Sequence, residues 1–205
     1  MRPSSAWQQF IFRHRGLALA FLGLWVLGQA RPTLCSVKLG LFLGVAGELI
    51  RIWAIGYTGQ ISRGLEPGAH RLMTAGPYSL VRNPLYVGNV LNGLGVLVAA
   101  SGGLSIQQLS QLWFGVLAGL VLLYSSLICV EEEFLSAKFG QEYLEYSRRV
   151  PALCPRSLRV APGTGSFSWT HGVRWESTTL LWWGFTWALL FAMSLRHSAV
   201  CGRLG

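Results

Sequence analysis

A long stretch without charge is the strongest constraint on how this chain can fold. From Asn83 to Val130, 48 consecutive positions carry no Asp, Glu, Lys or Arg. One crossing of a hydrocarbon core about 30 Å thick needs only about 20 apolar residues. The middle of the stretch, at 101–111, is rich in Ser, Gly and Gln. The stretch therefore predicts a helical hairpin within a membrane, with helices at roughly 85–101 and 110–130.

Three further apolar segments predict membrane helices at about 15–31, 36–57 and 177–195. Only 12% of the residues are charged, whereas soluble domains carry about a quarter. We therefore expect an all-α integral membrane bundle of about five transmembrane helices, folded as one domain over residues 1–205. The stretch 156–170 contains Pro, Gly and Ser, and we interpret it as a linker to the last span.

The basic residues predict an orientation. With five spans, 13 of the 17 Arg and Lys residues fall on the side that holds the N-terminus and the segments around 51–82 and 131–175. The positive-inside tendency places that side in the cytoplasm. The net charge of +9 is interpreted as this orienting charge, so we expect no nucleic-acid partner, and no obligate protein partner is evident. The scattered Cys and His residues predict no metal site.

A turn followed by a helix start stands just before the uncharged stretch. Gly76-Pro77 marks the turn, and Pro84 suits the first turn of a helix because its missing N–H would have no helical partner there. Arg82 lies at the mouth of this helix, and Tyr86 follows on its first turn. A helix N-terminus exposes backbone N–H groups and a partial positive charge, which attract a carboxylate or another anion. A capped helix start with an interfacial Arg and Tyr is the alternative interpretation.

An acidic cluster, Glu131-Glu132-Glu133, stands at the other end of the hairpin. Carboxylates at a helix C-terminus oppose the macrodipole. Either the helix continues beyond the membrane, or at least one Glu answers a cation such as a sulfonium with an ammonium group. An ordinary solvated acidic face is the simpler account of Glu133 and Glu142.

Glu48 and Arg51 form a second charged pair, inside the second predicted span. They are three residues apart in an otherwise apolar segment. Charged groups at such positions are costly, so they normally pair or serve a site. A local ion pair is the default interpretation, and a part in substrate binding is the alternative.

These segments together resemble the isoprenylcysteine carboxyl methyltransferase family, which is related to the membrane phospholipid methyltransferases. The family pattern has a Gly-x-Tyr turn, Arg-His-Pro-x-Tyr-x-Gly, an apolar hairpin, Glu-Glu-x-x-Leu, Phe-Gly-x-Glu-Tyr-x-x-Tyr and Arg-Val-Pro. The resemblance covers residues 40–156, a methyltransferase-like core that leaves 157–205 for the linker and the last helix. The matching pieces are Gly76-Pro77-Tyr78, Arg82 to Gly88, Glu131 to Leu135, Phe139 to Tyr146 and Arg149-Val150-Pro151.

The resemblance implies a methyltransferase that uses S-adenosylmethionine, with the cofactor between the two halves of the motif. Arg82 would lie at the reaction centre or hold the acidic cluster, and Glu131 would answer the positive charge of the donor. Glu132 is implied as catalytic together with these two residues. The implied cofactor-binding residues are His70, Arg71, Leu72, Met73, Tyr78, Asn83, Pro84, Leu85, Tyr86 and Glu131.

Two departures from the family pattern concern the acceptor. Asn83 stands where many members have His, and Leu127 stands where prenylcysteine-specific members have an Arg that serves the substrate. We therefore expect a lipophilic acceptor that enters from the bilayer, bearing a carboxylate, an amine or a thiol, without specifying prenylcysteine. Two alternatives remain: an NADPH-dependent membrane reductase of a related fold, and a non-catalytic membrane protein. Thermal stabilisation by S-adenosylmethionine, by NADPH or by neither would separate them.

Overall fold

The computed structural model describes residues 5–58 and 71–201, and its regular structure over those ranges is entirely helical. A short 3-10 helix at Gly76–Ser79 precedes the fourth α-helix. The predicted all-α integral membrane bundle is thereby confirmed. The seven α-helices are α1 (Ala6–Arg13), α2 (Arg15–Gln29), α3 (Leu34–Thr58), α4 (Pro84–Ala100), α5 (Ile106–Phe139), α6 (Gln141–Arg149) and α7 (Trp169–Cys201).

The membrane spans differ in detail from the sequence prediction. Among the described residues, three helices are long and apolar enough to cross a membrane: Leu34–Thr58, Ile106–Phe139 and Trp169–Arg196. Helices α1 and α2 together are also apolar enough to cross, but they are bent by 67° relative to each other. They supply a fourth span if the bent pair is counted as one. Helix α4 has 17 residues, about 26 Å, which is the short limit for a crossing. The expected total of about five is reached only if the bent pair and α4 are both counted.

The bend between α1 and α2 lies at His14, whose backbone leaves the helical region with φ −103° and ψ 15°. The helix predicted at about 15–31 is therefore the second arm of a broken helix that begins at Ala6. Arg15 stands at the start of this second arm, where its guanidinium donates a 3.1 Å hydrogen bond to the carbonyl of Phe12. The break thus holds a basic side chain beside the bundle.

Helices α3 and α4 pack closely because glycines line their contact. A side chain at Gly40 would clash with the carbonyl of Gly95, and one at Gly47 would clash with the carbonyl of Gly88. Small residues let membrane helices approach backbone to backbone. This contact holds the N-terminal turn of α4, where the first motif lies, against the last turns of α3.

Helix α5 carries the acidic cluster within its length. It begins at a capping box formed by Ser105 and Gln108 and continues through the three glutamates to Phe139. The carboxylates therefore stand inside a continuous helix, where they do not face the negative end of the macrodipole. Gly140, with φ 53°, ends α5, and α6 follows at once. Two explanations were given for the acidic cluster. The structure agrees with the first, because the helix continues beyond the three glutamates to Phe139.

The stretch interpreted as a linker packs along the first motif. The Thr164 carbonyl accepts hydrogen bonds from the N–H groups of Thr74 and Ala75, at 3.1 and 3.3 Å. The Ala161 N–H donates to the hydroxyl of Ser79 at 3.1 Å. A side chain at Gly163 would clash with the backbone of Thr74. Residues 157–168, here termed the crossing segment, are therefore built into the fold next to the motif.

Candidate active site

Close packing fixes the turn that leads into α4. Gly76 has φ 61°, and a side chain there would collide with the ring of Tyr57, so this position requires glycine. Pro77 and Tyr78 are buried beside it. The Tyr78 hydroxyl is hydrogen-bonded to Thr58, and burial raises the pKa of the Tyr78 phenol above its usual range. The turn is therefore held rigidly against the end of α3.

Arg82 joins three parts of the motif. Its guanidinium forms an ion pair with Glu132 on α5, with the Arg82 Nε donating at 2.8 Å. The same side chain donates to the backbone carbonyls of Ser147 and Val150, at 2.9 and 2.7 Å. Burial, then the nearby Glu132 carboxylate, raises the pKa of the Tyr143 phenol, while the positive charge of Arg82 lowers it. Arg82 therefore connects Glu132 of the acidic cluster on α5 to the end of α6.

Glu131 faces the start of α4. Its carboxylate is hydrogen-bonded to the hydroxyl of Tyr86, and the Arg15 guanidinium at the break before α2 interacts with it electrostatically. Glu131 is partly buried. The two motif segments, 45 positions apart at these residues, therefore meet in space, as their places at the two ends of one hairpin predict.

The remaining implied cofactor residues fall into different environments. Arg71 is exposed, and Leu72 is buried against Tyr143 and Tyr146 in a small apolar cluster. Met73 lies beside the crossing segment at Gly165. His70 lies outside the described residues. Three further members occupy the start of α4: Asn83 at the N-cap, Pro84 buried in the first turn, and Leu85 partly buried.

Asn83 holds the helix start to the chain that follows α6. Its backbone N–H and its side-chain amide both donate to the carbonyl of Ala152, at 3.1 and 3.3 Å. The backbone N–H of Arg82 donates to the carbonyl of Pro151 at 2.8 Å. The side chain of Asn83 makes no capping hydrogen bond to the N-terminus of α4. The Arg-Val-Pro piece of the motif therefore runs beside the Arg-Asn-Pro piece.

A second polar network lies deeper in the bundle, and sequence reasoning found only part of it. Arg51 lies 3.6 Å from Glu48, as the local ion pair predicts. Its closer partners are the Oε1 atom of Glu176 on α7, to which Nε donates at 3.1 Å, and the side-chain oxygen of Asn89. Glu176 is fully buried. It is the only acidic residue after Glu145, and this isolation beside an apolar span was the signal that could have identified it.

The same network extends across α4 to Trp183 of α7. The amide of Asn92 donates to Glu48 at 3.0 Å, and the indole N–H of Trp183 donates to the Asn92 oxygen at 2.9 Å. Asn89 is also hydrogen-bonded to the hydroxyl of Tyr124 on α5. Three helices are thus joined to α7 through polar side chains, each of which has a partner, as buried polar groups require.

A cavity of about 330 Å³ lies against this network. Residues from α2, α3, α4, α5 and α7 line it, and most of them are apolar, including Val26, Val96 and Leu120. Its polar lining residues are Arg51, Asn89, Asn92, Tyr124, Thr179 and Thr186. Cavities of this size, mostly apolar with a few convergent polar groups, are typical of small-molecule sites.

A pair of tyrosines connects the cavity to the motif. The rings of Tyr86 and Tyr124 are 5.3 Å apart between centroids. Tyr86 bonds to Glu131, and Tyr124 bonds to Asn89 at the cavity wall. The arrangement therefore places one carboxylate beside the rigid motif turn and a separate apolar cavity next to it, so that two reactants could meet at the tyrosines.

Comparison with known proteins agrees with the motif. A family model described as phospholipid methyltransferase matches residues 35–142. The chain is 32% identical over 186 residues to a cobalt-zinc-cadmium resistance protein of Cupriavidus metallidurans, covering 82% of this chain and 74% of that protein. It is 30% identical over 120 residues to protein-S-isoprenylcysteine O-methyltransferase B of Arabidopsis thaliana, covering 57% of each. No solved structure matches the chain.

Proposed function

The chain belongs to the phospholipid methyltransferase family, and on that premise we propose that it transfers a methyl group from S-adenosylmethionine to a lipophilic acceptor within the membrane. It is an integral membrane methyltransferase that resembles the isoprenylcysteine enzymes. The observation that carries the proposal is the Tyr86–Glu131 hydrogen bond, because it places a carboxylate where the two halves of the motif meet.

The side chains at this place suit the chemistry of the proposed donor. S-adenosylmethionine carries a sulfonium, an ammonium and a carboxylate. Glu131 supplies a negative charge for the cationic groups. At the start of α4, Pro84 has no N–H, and the N–H groups of Tyr86 and Val87 donate to the Asn83 carbonyl. The partial positive charge of this helix end therefore suits the carboxylate chiefly by electrostatic attraction. Tyr78 and Met73 line the turn that would receive the nucleoside.

When bound, the donor supplies an activated methyl group on a positively charged sulfur. The work of the chain's own residues is then alignment and electrostatics. Tyr86 fixes the Glu131 carboxylate by its hydrogen bond. Arg82 and Glu132 hold α5 and α6 against the motif turn. The cavity beyond Tyr124 holds the acceptor away from water.

Donor binding tests the proposal directly. Purified protein is heated with S-adenosylmethionine, with NADPH or with neither, and unfolding is followed. A ligand at a concentration of about 100 times its Kd stabilises the folded protein by about 2.7 kcal/mol. We expect stabilisation by S-adenosylmethionine. Stabilisation by NADPH alone would favour a reductase, and an unchanged transition with both would favour a non-catalytic protein.

A pair of matched variants locates the donor. Glu131→Gln removes a charge-assisted interaction, which is worth about 1.5–3 kcal/mol, so donor affinity is expected to fall about 10- to 100-fold. Glu145→Gln is the control, because it makes the same change at an exposed position of α6. Equal donor affinity in both variants would overturn the assignment of Glu131.

The proposal includes an orientation in which both motif segments face the cytoplasm, where the donor is made. The supporting argument is the excess of Arg and Lys on that side.

The relative from Cupriavidus metallidurans is named for metal resistance. Among the described residues no group of three His, Cys, Asp or Glu side chains is placed to hold a metal ion, and the proposed reaction rests on the methyltransferase motif.

A further inference from the structure

The cavity beside the motif has two chemically different ends. Asn89 and Tyr124 line it at the end nearer the motif, whereas Val96 and Val116 line it about two helical turns deeper, about 10–12 Å along α4 and α5. A ligand with a polar head and an apolar body matches this order. The head would then lie beside Tyr124, within reach of the Tyr86–Glu131 pair.

The size of the cavity limits the ligand. Its volume of about 330 Å³ is near the lower end of the range of about 300–1,000 Å³ for small-molecule pockets. A phospholipid with two acyl chains is much larger than such a pocket. The cavity is open on one side, so this volume limits the part of the acceptor that lies inside it, which fits a polar head with a single apolar chain.

The charges around the polar end select among acceptor heads. Arg51 is the basic side chain in the lining, and Glu176 and Glu48 both lie against its guanidinium. The described network therefore holds two carboxylates and one guanidinium. An anionic carboxylate acceptor would meet a cation already engaged by carboxylates, so this end gives it no net attraction. Asn89 and Asn92 offer amide groups to a head that can hydrogen-bond.

An amine acceptor fits the change of charge during transfer. The acceptor amine, protonated at neutral pH, first gives a proton to solvent. The neutral nitrogen then forms a bond to the methyl carbon while the sulfur–carbon bond breaks and its electron pair stays on sulfur. The positive charge thus moves from sulfur to nitrogen, and the product ammonium later gives a proton to solvent. The nearby carboxylates stabilise the charge that develops on nitrogen. With a carboxylate acceptor the charges would cancel and this stabilisation would be lost.

We propose, as an extension of the proposed function, that this cavity binds a small single-chain lipophilic amine as the methyl acceptor. In this site Glu176 of α7 is the positioning residue that fixes Arg51 and sets the charge of the polar end. Glu176 and the α2 and α7 walls of the cavity lie outside residues 35–142, where the family model matches. The flanking helices therefore set the choice of acceptor.

An acceptor panel tests this assignment. Full-length protein in detergent is given S-adenosylmethionine with a labelled methyl group and one of four acceptors: octylamine, octanoate, octanethiol or phosphatidylethanolamine. We expect methylation of octylamine to exceed that of each other acceptor by about 10-fold or more, on the order of one charge interaction. Preferred methylation of octanoate, octanethiol or the phospholipid would overturn the amine assignment.

Two variants tie the activity to the cavity. Gly93→Leu fills it, because a Cβ at Gly93 has only Leu120 nearby, at 3.8 Å. Gly184→Leu is the control, since nothing lies within 4 Å of a Cβ there and the position is outside the lining. We expect Gly93→Leu to raise the KM for octylamine about 10-fold or more, with unchanged donor affinity and with Gly184→Leu like the parent. Equal KM values for octylamine in all three proteins would show that the acceptor binds elsewhere and would overturn the assignment of the cavity.

Glu176→Gln separates positioning from simple stability. If Glu176 sets the charge at the polar end, the ratio of kcat/KM for octylamine to that for octanethiol falls, whereas a general loss of folded protein lowers both equally. An unchanged ratio in protein that still binds donor would overturn this role. Failure of the parent to bind S-adenosylmethionine would instead overturn the proposed function, so the two failures are distinguishable.

Discussion

Replacing Arg82 by Gln distinguishes the two roles that the motif allows for this residue. The guanidinium bonds to Glu132 and to the carbonyls of Ser147 and Val150. Both ionic side chains are mostly buried, with 14% and 16% exposed. A hydrogen bond with a charged partner contributes about 1.5–3 kcal/mol, and breaking a buried ion pair costs about 3–5 kcal/mol. Since such values do not add, we take about 3 kcal/mol as the cost of releasing α6.

That cost should appear as local opening of α6. A loss of about 3 kcal/mol corresponds to about a 100-fold higher population of the open state. Amide hydrogen exchange of peptides covering 141–152 measures it, and Arg148→Gln is the control because Arg148 lies in the last turn of α6 on the exposed surface. We expect exchange about 100-fold faster in the Arg82 variant alone.

The opposite pattern would refute this structural role of Arg82. If Arg82→Gln abolishes donor binding or methyl transfer while exchange in 141–152 stays like the parent, Arg82 acts at the reaction centre. If exchange accelerates and the remaining folded protein still binds donor, Arg82 acts through the position of Glu132 and α6.

Three further predictions follow from contacts outside the reaction itself. Because burial raises its pKa, the Tyr146 phenol of the folded protein stays protonated above the ordinary tyrosine pKa of about 10. Its stabilising contribution is complete below that pH and is lost as pH rises from there through the folded-state pKa. Tyr146→Phe should therefore leave the absorbance change near pH 10 unaltered, while costing about 1 kcal/mol of stability through the lost 2.7 Å hydrogen bond. Gly40→Leu should prevent folding, as followed by size-exclusion chromatography, whereas Gly23→Leu, with nothing within 4 Å, should be tolerated. In intact cells, an impermeant thiol reagent should label a single-cysteine variant that retains Cys35 but not one that retains Cys154, both of which are exposed; the reverse labelling would invert the proposed orientation.

The uncharged stretch predicted the limits of the two hairpin helices well, because the charge and hydropathy that define a membrane span can be read from neighbouring positions of the sequence. The predicted helices at 85–101 and 110–130 correspond to Pro84–Ala100 and to the membrane part of Ile106–Phe139. Since one hairpin joins the two motif segments, their meeting at Tyr86 and Glu131 also followed from order along the chain. The break at His14 was not evident, because its cause is the local backbone of one residue between two ordinary helical segments.

Contacts between distant positions account for the rest of what was missed. Spacing of three residues indicated the Glu48–Arg51 pair, but no periodicity indicates that Arg51 bonds to a residue 125 positions later. The crossing segment was similarly hidden, because Pro, Gly and Ser are as typical of a linker as of a chain that packs closely on its neighbour. Both features depend on how α7 docks, which hydropathy alone does not determine.

The docking of α7 divides the proposed chemistry into two parts. The motif turn and the acidic cluster lie within 35–142, the range that the family model matches. The deeper polar network and the acceptor cavity need Glu176 and the walls from α2 and α7. Variants in the first part should lower methyl transfer to every acceptor by the same factor, because all acceptors share the donor. Variants in the second part should change the ratio between acceptors, because these residues contact the acceptor and each acceptor makes different contacts with them.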